Sequence, residues 1–168
     1  EILYQFHNSS GGEVTMAMHN KPRFNSVGVV NDRVVSFEPG AKVDLLAFSG
    51  LHIVNKELLL EIPGGCFSSI IDLYRQIIAQ DRKVVSMRID DNYWTDMGTV
   101  DDYLELHGKL LTGNVDLWRE FGPLGETACL FGENAAHGPD LQVRDWACVG
   151  GSATIGKDVV LERSVIWD

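Results

Sequence analysis

The stretch Val143-Arg144-Asp145-Trp146-Ala147-Cys148-Val149-Gly150-Gly151-Ser152-Ala153-Thr154-Ile155-Gly156-Lys157-Asp158-Val159-Val160-Leu161-Glu162-Arg163-Ser164-Val165 places an aliphatic residue at every sixth position: Val143, Val149, Ile155 and Leu161. A second column, Ala147, Ala153, Val159 and Val165, runs in phase four positions further along. An antiparallel meander alternates with a period of two and a helix with about 3.6, so neither produces this spacing. A triangular coil does. Each six-residue unit forms one side, with the aliphatic residue inward and the small residue near a corner, where Gly150, Ser152 and Gly156 suit tight bends. The period predicts a short left-handed parallel β-helix over 141–168. Such coils bury their faces only against stacked neighbours, so the last one is expected to be covered by further chain or by another subunit, as in a homo-oligomer.

Working back from the repeats, Gly113, Gly122, Pro123, Gly125, Gly132, Gly138 and Pro139 break any period. Residues 114–140 are expected to be a linker with at most one short helix near Leu117–Phe121. Earlier still, strands alternate with helices. Ile2–His7 forms a last helical turn stopped at Gly11-Gly12, and Glu13–His19 alternates as a strand does. Val27–Val30 and Val34–Phe37 flank Asn31-Asp32-Arg33 as a hairpin. Leu45–Val54 is nearly all apolar, which suits a strand buried on both faces, with Ser49-Gly50 where a backbone or ligand comes close. A short helix over Lys56–Ile62 stops at Pro63-Gly64-Gly65. Ser69-Ile70-Ile71-Asp72 and Thr99-Val100-Asp101-Asp102 are capping boxes opening two further helices, the second spanning Tyr103–Leu111, with the strand Val84–Ile89 between them. The expected fold class is α/β: a mixed, mostly parallel sheet with flanking helices over 1–113, then the linker, then the coil.

The 168 residues carry a net charge of −10, with 45% hydrophobic and 23% charged residues. Binding to a nucleic-acid backbone needs clustered Lys and Arg, so no nucleic-acid partner is expected. A small anionic substrate needs only a few local donors and is not excluded. No apolar run of about 18 residues suggests a membrane span, and no leader pattern opens the chain, so a cytoplasmic protein is expected. Cys66, Cys129 and Cys148 are scattered without metal-ligand spacing and are expected to be free buried thiols.

Tyr93-Trp94-Thr95-Asp96-Met97-Gly98-Thr99-Val100-Asp101-Asp102-Tyr103-Leu104 resembles the W-x-D-x-G-T-x-x-D-Y signature of the sugar-phosphate nucleotidyltransferases. Val27-Gly28-Val29-Val30, Val34–Pro39 and Phe48-Ser49-Gly50-Leu51-His52-Ile53 are similar to three further blocks of that family, in its order. The coils match the C-terminal extension of many members, mannose-1-phosphate guanylyltransferases among them. The resemblance covers residues 1–113 and 141–168. It implies transfer of a nucleotidyl group from a nucleoside triphosphate to a sugar 1-phosphate with release of pyrophosphate. Because two anions must meet in line, such catalysis is mostly positioning plus charge neutralisation by Mg²⁺ and basic residues.

By that resemblance Asp96 binds Mg²⁺ and is the catalytic residue of this half. Glu38 accepts hydrogen bonds from sugar hydroxyls, and Gly28, Ser49 and Gly50 bring the backbone close to the sugar. On the residues alone, Asp96 also suits a turn aspartate bonding its own backbone, and Gly28 and Gly50 suit simple turn or bulge geometry. The chain departs from the family where Glu-Lys-Pro is usual: it has Glu38-Pro39-Gly40, so the phosphate-binding cation must come from elsewhere, with Lys42 and Arg23 as candidates. Val27 stands where an aromatic is common. The family's glycine-rich triphosphate loop and first metal-binding aspartate have no counterpart here, so the isolated chain is expected to be inactive and the whole protein active. Two rivals remain. One is a non-catalytic regulatory or assembly subunit that binds a nucleotide-sugar. The other is a hexapeptide-repeat acyltransferase with His137 as base.

Overall fold

In the computed structural model, which describes residues 1–38, 43–115 and 128–168, the chain divides after Trp94 into two units, Glu1–Trp94 and Thr95–Asp168. In the first, helix α1 (Ile2–Ser10) ends at Gly11, whose φ of 63° is the left-handed conformation that glycine adopts without a Cβ penalty. Strand β1 (Val14–His19) follows, and all six of its residues are buried, where the alternating pattern predicts one exposed face. Met16 and Met18 enter the hydrophobic core, while Thr15 is reached by the His7 ring of α1 at 2.8 Å. His7 Nε2 also meets Asn55 Oδ1 at 3.0 Å, so α1 covers a polar position that would otherwise face water.

Strands β2 (Val27–Val30) and β3 (Arg33–Ser36) form the expected hairpin. Its two-residue turn places Asn31 and Asp32 at φ 48° and 59°, the paired left-handed conformation whose twist matches flanking strands. Strand β4 (Asp44–Val54), a 3-10 turn (Lys56–Glu61), helix α2 (Ile70–Ala79) and strand β5 (Val84–Arg88) complete the unit. The Ser69 hydroxyl caps α2 by accepting from the Ile71 N–H at 3.2 Å. The strands close into a barrel in the order β1-β4-β2-β3-β5, with β5 returning to β1. Only the β1–β5 pairing is parallel, and the other four are antiparallel, which corrects the expectation of a mostly parallel sheet for this unit. Among the described residues no helix lies between β1 and β4, and β2 and β3, joined by a two-residue turn, pair antiparallel as so short a connection requires.

Strand β4 is not buried on both faces as its apolar run suggests. Leu46 and Ala47 are buried, but Gly50 and Leu51 are exposed. The cause is a bulge. Met18 pairs with Phe48 and Met16 with His52, so Ser49, Gly50 and Leu51 together oppose Ala17 alone. Gly50 takes φ 88° there, with open space where a Cβ would stand.

In the second unit, helix α3 (Val100–Leu111) begins three positions before the expected Tyr103, because Thr99 caps it by accepting from the Asp102 N–H at 3.1 Å. Strands β6 (Cys129–Phe131), β7 (Ala136–His137), β8 (Gln142–Val149), β9 (Thr154–Ile155) and β10 (Val160–Ile166) form two sheets, β10-β8-β6 and β7-β9, and every pairing is parallel. Cys129 pairs with Ala147, Ala136 with Thr154 and Leu161 with Val143, each partner 18 residues away. Among the described residues the stacking thus already includes Cys129, inside the segment expected to be a linker. Ala147, Val149, Ala153, Ile155 and Leu161 form its core, while Val143 is 37% exposed. The expected helix at 117–121 lies outside the described residues. No helix among the described residues is long and apolar enough to cross a membrane.

Gly108, buried in α3, faces the buried Trp146 of β8, and a Cβ there would stand 2.7 Å from the indole Nε1. Glycine in a helix interior normally costs roughly 0.5–1 kcal/mol relative to alanine, so alanine should stabilise a free helix. A rigid buried ring cannot yield cheaply, and overpacking costs typically about 1–3 kcal/mol. Gly108→Ala is therefore expected to lower stability by about 1–2 kcal/mol in denaturant unfolding; an unchanged or higher midpoint would show that α3 does not pack on Trp146 this way.

Candidate functional site

The carboxyl ends of the parallel pair β1 and β5 open onto one cluster in the first unit. Ligands of sheets with parallel strands are generally met at such ends. His19 closes β1, 6% exposed, and its Nε2 lies 3.0 Å from the Asn92 carbonyl in the turn after β5. A carbonyl only accepts, so Nε2 carries the proton. Nδ1 lies 3.4 Å from the Asp90 carboxylate. Asp90 also receives the Asn20 N–H at 2.6 Å and Arg88 Nε at 2.6 Å, and these donors hold its carboxyl below the usual carboxylate range. The His19 ring stacks on Trp94 at 6.1 Å, and Phe24 meets the same indole edge-on at 5.7 Å. Trp94 Nε1 donates to the Ser49 carbonyl at 3.0 Å.

Ser49 is thus held from two sides. Its hydroxyl donates to the Ala17 carbonyl at 2.8 Å, bridging the bulge, while its own carbonyl takes the Trp94 N–H. Gly50, next in the chain, is exposed. Gly28 lies elsewhere on the sheet, paired with Ser36 of β3 and Leu45 of β4. A Cβ on Gly28 would meet Val43 Cγ2 at 2.8 Å, so close packing by the protein itself accounts for this glycine. Glu38 follows β3. Its N–H donates to Ser36 Oγ at 2.9 Å, and its exposed carboxylate pairs with Arg75 of α2 at 3.3 Å. Arg75 also holds Asp72 at 2.8 Å. It is the cation found beside Glu38, and the spacing of 37 residues left no local signal for it. Of the two candidates from sequence, Arg23 lies over the Phe24 ring at 4.8 Å, and Lys42 falls outside the described residues.

Asp96 belongs to the second unit, half-buried, with Oδ2 accepting the Gly98 N–H at 2.8 Å. That is the geometry of a turn aspartate. Thr99 then donates its hydroxyl to Asp102 Oδ2 at 2.7 Å and caps α3, so the loop carrying Asp96 runs straight into a helix start. Beside it is a groove of about 420 Å³ whose lining includes Met97, Val100, Tyr103, Leu104 and Trp167. Among the described residues no group of three or more His, Cys, Asp or Glu gathers. His137 is exposed and its Nδ1 faces its neighbour's carbonyl at 3.0 Å. Cys66 is exposed, against expectation, while burial pushes the Cys129 and Cys148 thiols up.

Within β4, His52 Nδ1 meets the Tyr74 hydroxyl at 3.0 Å and its ring stacks on Phe48 at 5.6 Å. Burial lowers the His52 pKa and raises that of Tyr74. Both groups are therefore held neutral.

Residues 3–113 match the nucleotidyl transferase family. Mannose-1-phosphate guanylyltransferase of Mycobacterium tuberculosis is 26% identical over 177 aligned positions, which take in 99% of this chain and 48% of that protein. The chain thus spans about half the length of the curated relative it matches.

A histidine whose folded-state pKa is lowered binds its proton more readily when unfolded. Its contribution to stability is complete above the ordinary value of 6.5 and is lost as the pH falls below that value. On acidification from about pH 7.5 to 5.5, the wild-type chain should lose more stability than His52→Gln, read as the difference in urea midpoints. Equal losses would mean that His52 does not titrate against its burial.

Proposed function

This chain belongs to the nucleotidyl transferase family, and on that premise we propose that the whole protein joins a nucleoside triphosphate to a sugar 1-phosphate, releasing pyrophosphate. The observation that carries this reading is the family match running through the Trp94–Leu104 block, with Asp96 on a half-buried loop directly ahead of the capped helix α3. The mannose-1-phosphate guanylyltransferase relative supports a sugar phosphate as acceptor.

In the reaction an oxygen of the sugar phosphate attacks the α-phosphorus of the triphosphate. The bond from that phosphorus to the bridging oxygen breaks, and pyrophosphate leaves with the electron pair. Mg²⁺ typically takes one or two carboxylates and completes its shell with phosphate oxygens and water, so a single well-placed aspartate suits it and no three-carboxylate cluster is needed. Asp96 fits: Gly98 occupies only one of its two oxygens. When bound, the ion neutralises charge on the phosphates. Asp96 would hold it, Glu38 would accept from sugar hydroxyls, and Arg75 would orient Glu38 through their ion pair. Ser49 and Gly50 would present backbone at the sugar. Gly28 would admit Val43 against the β2–β3 hairpin that leads to Glu38.

The stacked parallel strands of the second unit are proposed to be the opening coils of a left-handed β-helix. The 18-residue offset, three periods of six, supports three sides per turn.

The full-length protein, supplied with a panel of nucleoside triphosphates and sugar 1-phosphates, should release pyrophosphate only with Mg²⁺. Asp96→Asn should lower kcat by about 100-fold or more, since a metal contributes several kcal/mol to charge stabilisation. Mg²⁺-independent turnover, or full activity in Asp96→Asn, would overturn the proposal. Binding of a nucleotide-sugar without turnover would instead favour a regulatory subunit.

A further inference from the structure

We infer that His19 is a positioning residue, which sets the Trp94 indole and through it the Ser49-Gly50 bulge. The inference rests on the reaction proposed above for its consequence, but not for its geometry. His19 is buried at the end of β1, where a polar ring needs a reason to be. One nitrogen holds the Asn92 carbonyl of the turn Ile89–Asn92, which is itself closed by the Asn92 N–H to the Ile89 carbonyl at 2.9 Å. The other nitrogen lies 3.4 Å from Asp90 without a hydrogen bond, and that carboxylate ties the same turn to Asn20 and Arg88. The face of the ring stacks on Trp94, two residues beyond Asn92.

The ring contact bears on a segment that carries site residues, and the turn contact holds the ring in place. Trp94 donates to the Ser49 carbonyl, so displacing the indole frees the bulge from one of its two restraints. A small shift of a reacting group costs rate far more than it costs stability: about 1 Å of misplacement is worth up to about 100-fold. Phe24 meets the indole edge-on and its side chain has no hydrogen-bonding group to offer the turn, whereas the His19 ring joins turn and indole.

The test uses the full-length protein and two readings. The first is hydrogen exchange of the Trp94 indole N–H, assigned by its loss in Trp94→Phe. In His19→Ala that N–H should exchange at least about tenfold faster than in wild type, as a locally opened hydrogen bond does. The second is kinetic: kcat should fall by about 10- to 100-fold while the KM for the nucleoside triphosphate stays within about twofold. His19→Gln, which retains a donor for the Asn92 carbonyl, should recover most of both. His19→Leu fills the volume without a donor and supplies the same two readings if the alanine variant does not fold. Wild-type indole exchange in His19→Ala or His19→Leu overturns the inference, as does unchanged kcat in an active protein. If the wild type transfers nothing, the proposed reaction fails by itself and indole exchange alone decides the role of His19.

Discussion

Strand β1 can pair with β4 on both sides of Ala17 only if three residues of β4 are accommodated opposite that one position. The mismatch is the constraint around which the first unit is arranged. An unpaired carbonyl at Ala17 inside a fully buried strand would cost about 1–3 kcal/mol, and the Ser49 hydroxyl satisfies it. Turning the chain over the bulge requires a left-handed conformation, and glycine stands there. The bulge leaves the Ser49 carbonyl directed away from the ladder, where Trp94 takes it. A register irregularity, a hydroxyl, a glycine and a tryptophan are thus parts of one solution. Bulges commonly re-aim backbone next to functional sites, and this one leaves Gly50 and Leu51 exposed.

The second unit solves a different problem. Its strands are too short to hold a sheet by pairing alone, two of them having only two residues. Stacking at a fixed offset lets each contribute an apolar residue to a shared column, and α3 adds a flank where Gly108 admits the Trp146 ring. Asp145 and Arg163, 18 residues apart and both with positive φ, mark equivalent corners, and their side chains pair at 3.6 Å. Asp140 and Asp158 repeat the same relation. Aspartate tolerates the left-handed region better than most residues, which is why corners can be built without glycine.

What could be read from the sequence was local chemistry. The caps at Ser69 and Thr99, the Asn31-Asp32 turn and the stop at Gly11 each depend on residues within four positions of one another. The six-residue period was legible because it repeats. Its earlier start was also present in one column, Cys129, Ala135 and Leu141 before Ala147, but the other column is broken by His137. The contacts that organise the candidate site were not legible. His19 meets Asn92 across 73 residues and Glu38 meets Arg75 across 37, and nothing in either segment announces its partner. The antiparallel majority of the first sheet arises from pairings between strands distant in sequence, β1 with β4 and β3 with β5, which no local pattern marks. At Gly28 the sequence admits both an approach to a sugar and simple backbone geometry, and Val43 fills the space above it.

At Asp96 the turn role leaves room for the proposed metal role. A carboxylate offers two oxygens, each able to accept more than once, and the Gly98 N–H uses one of them at 2.8 Å. That bond restrains the group, so under the proposed role its remaining oxygen would be presented with less loss of side-chain freedom on binding. Outer hydrogen bonds orient metal-binding carboxylates in the same way. Thr99 reinforces the arrangement by starting α3 three residues on, which limits how far the loop can swing. The glycine at 98 then has a role of its own: it presents its N–H to Asp96 from a position where no side chain crowds the carboxylate.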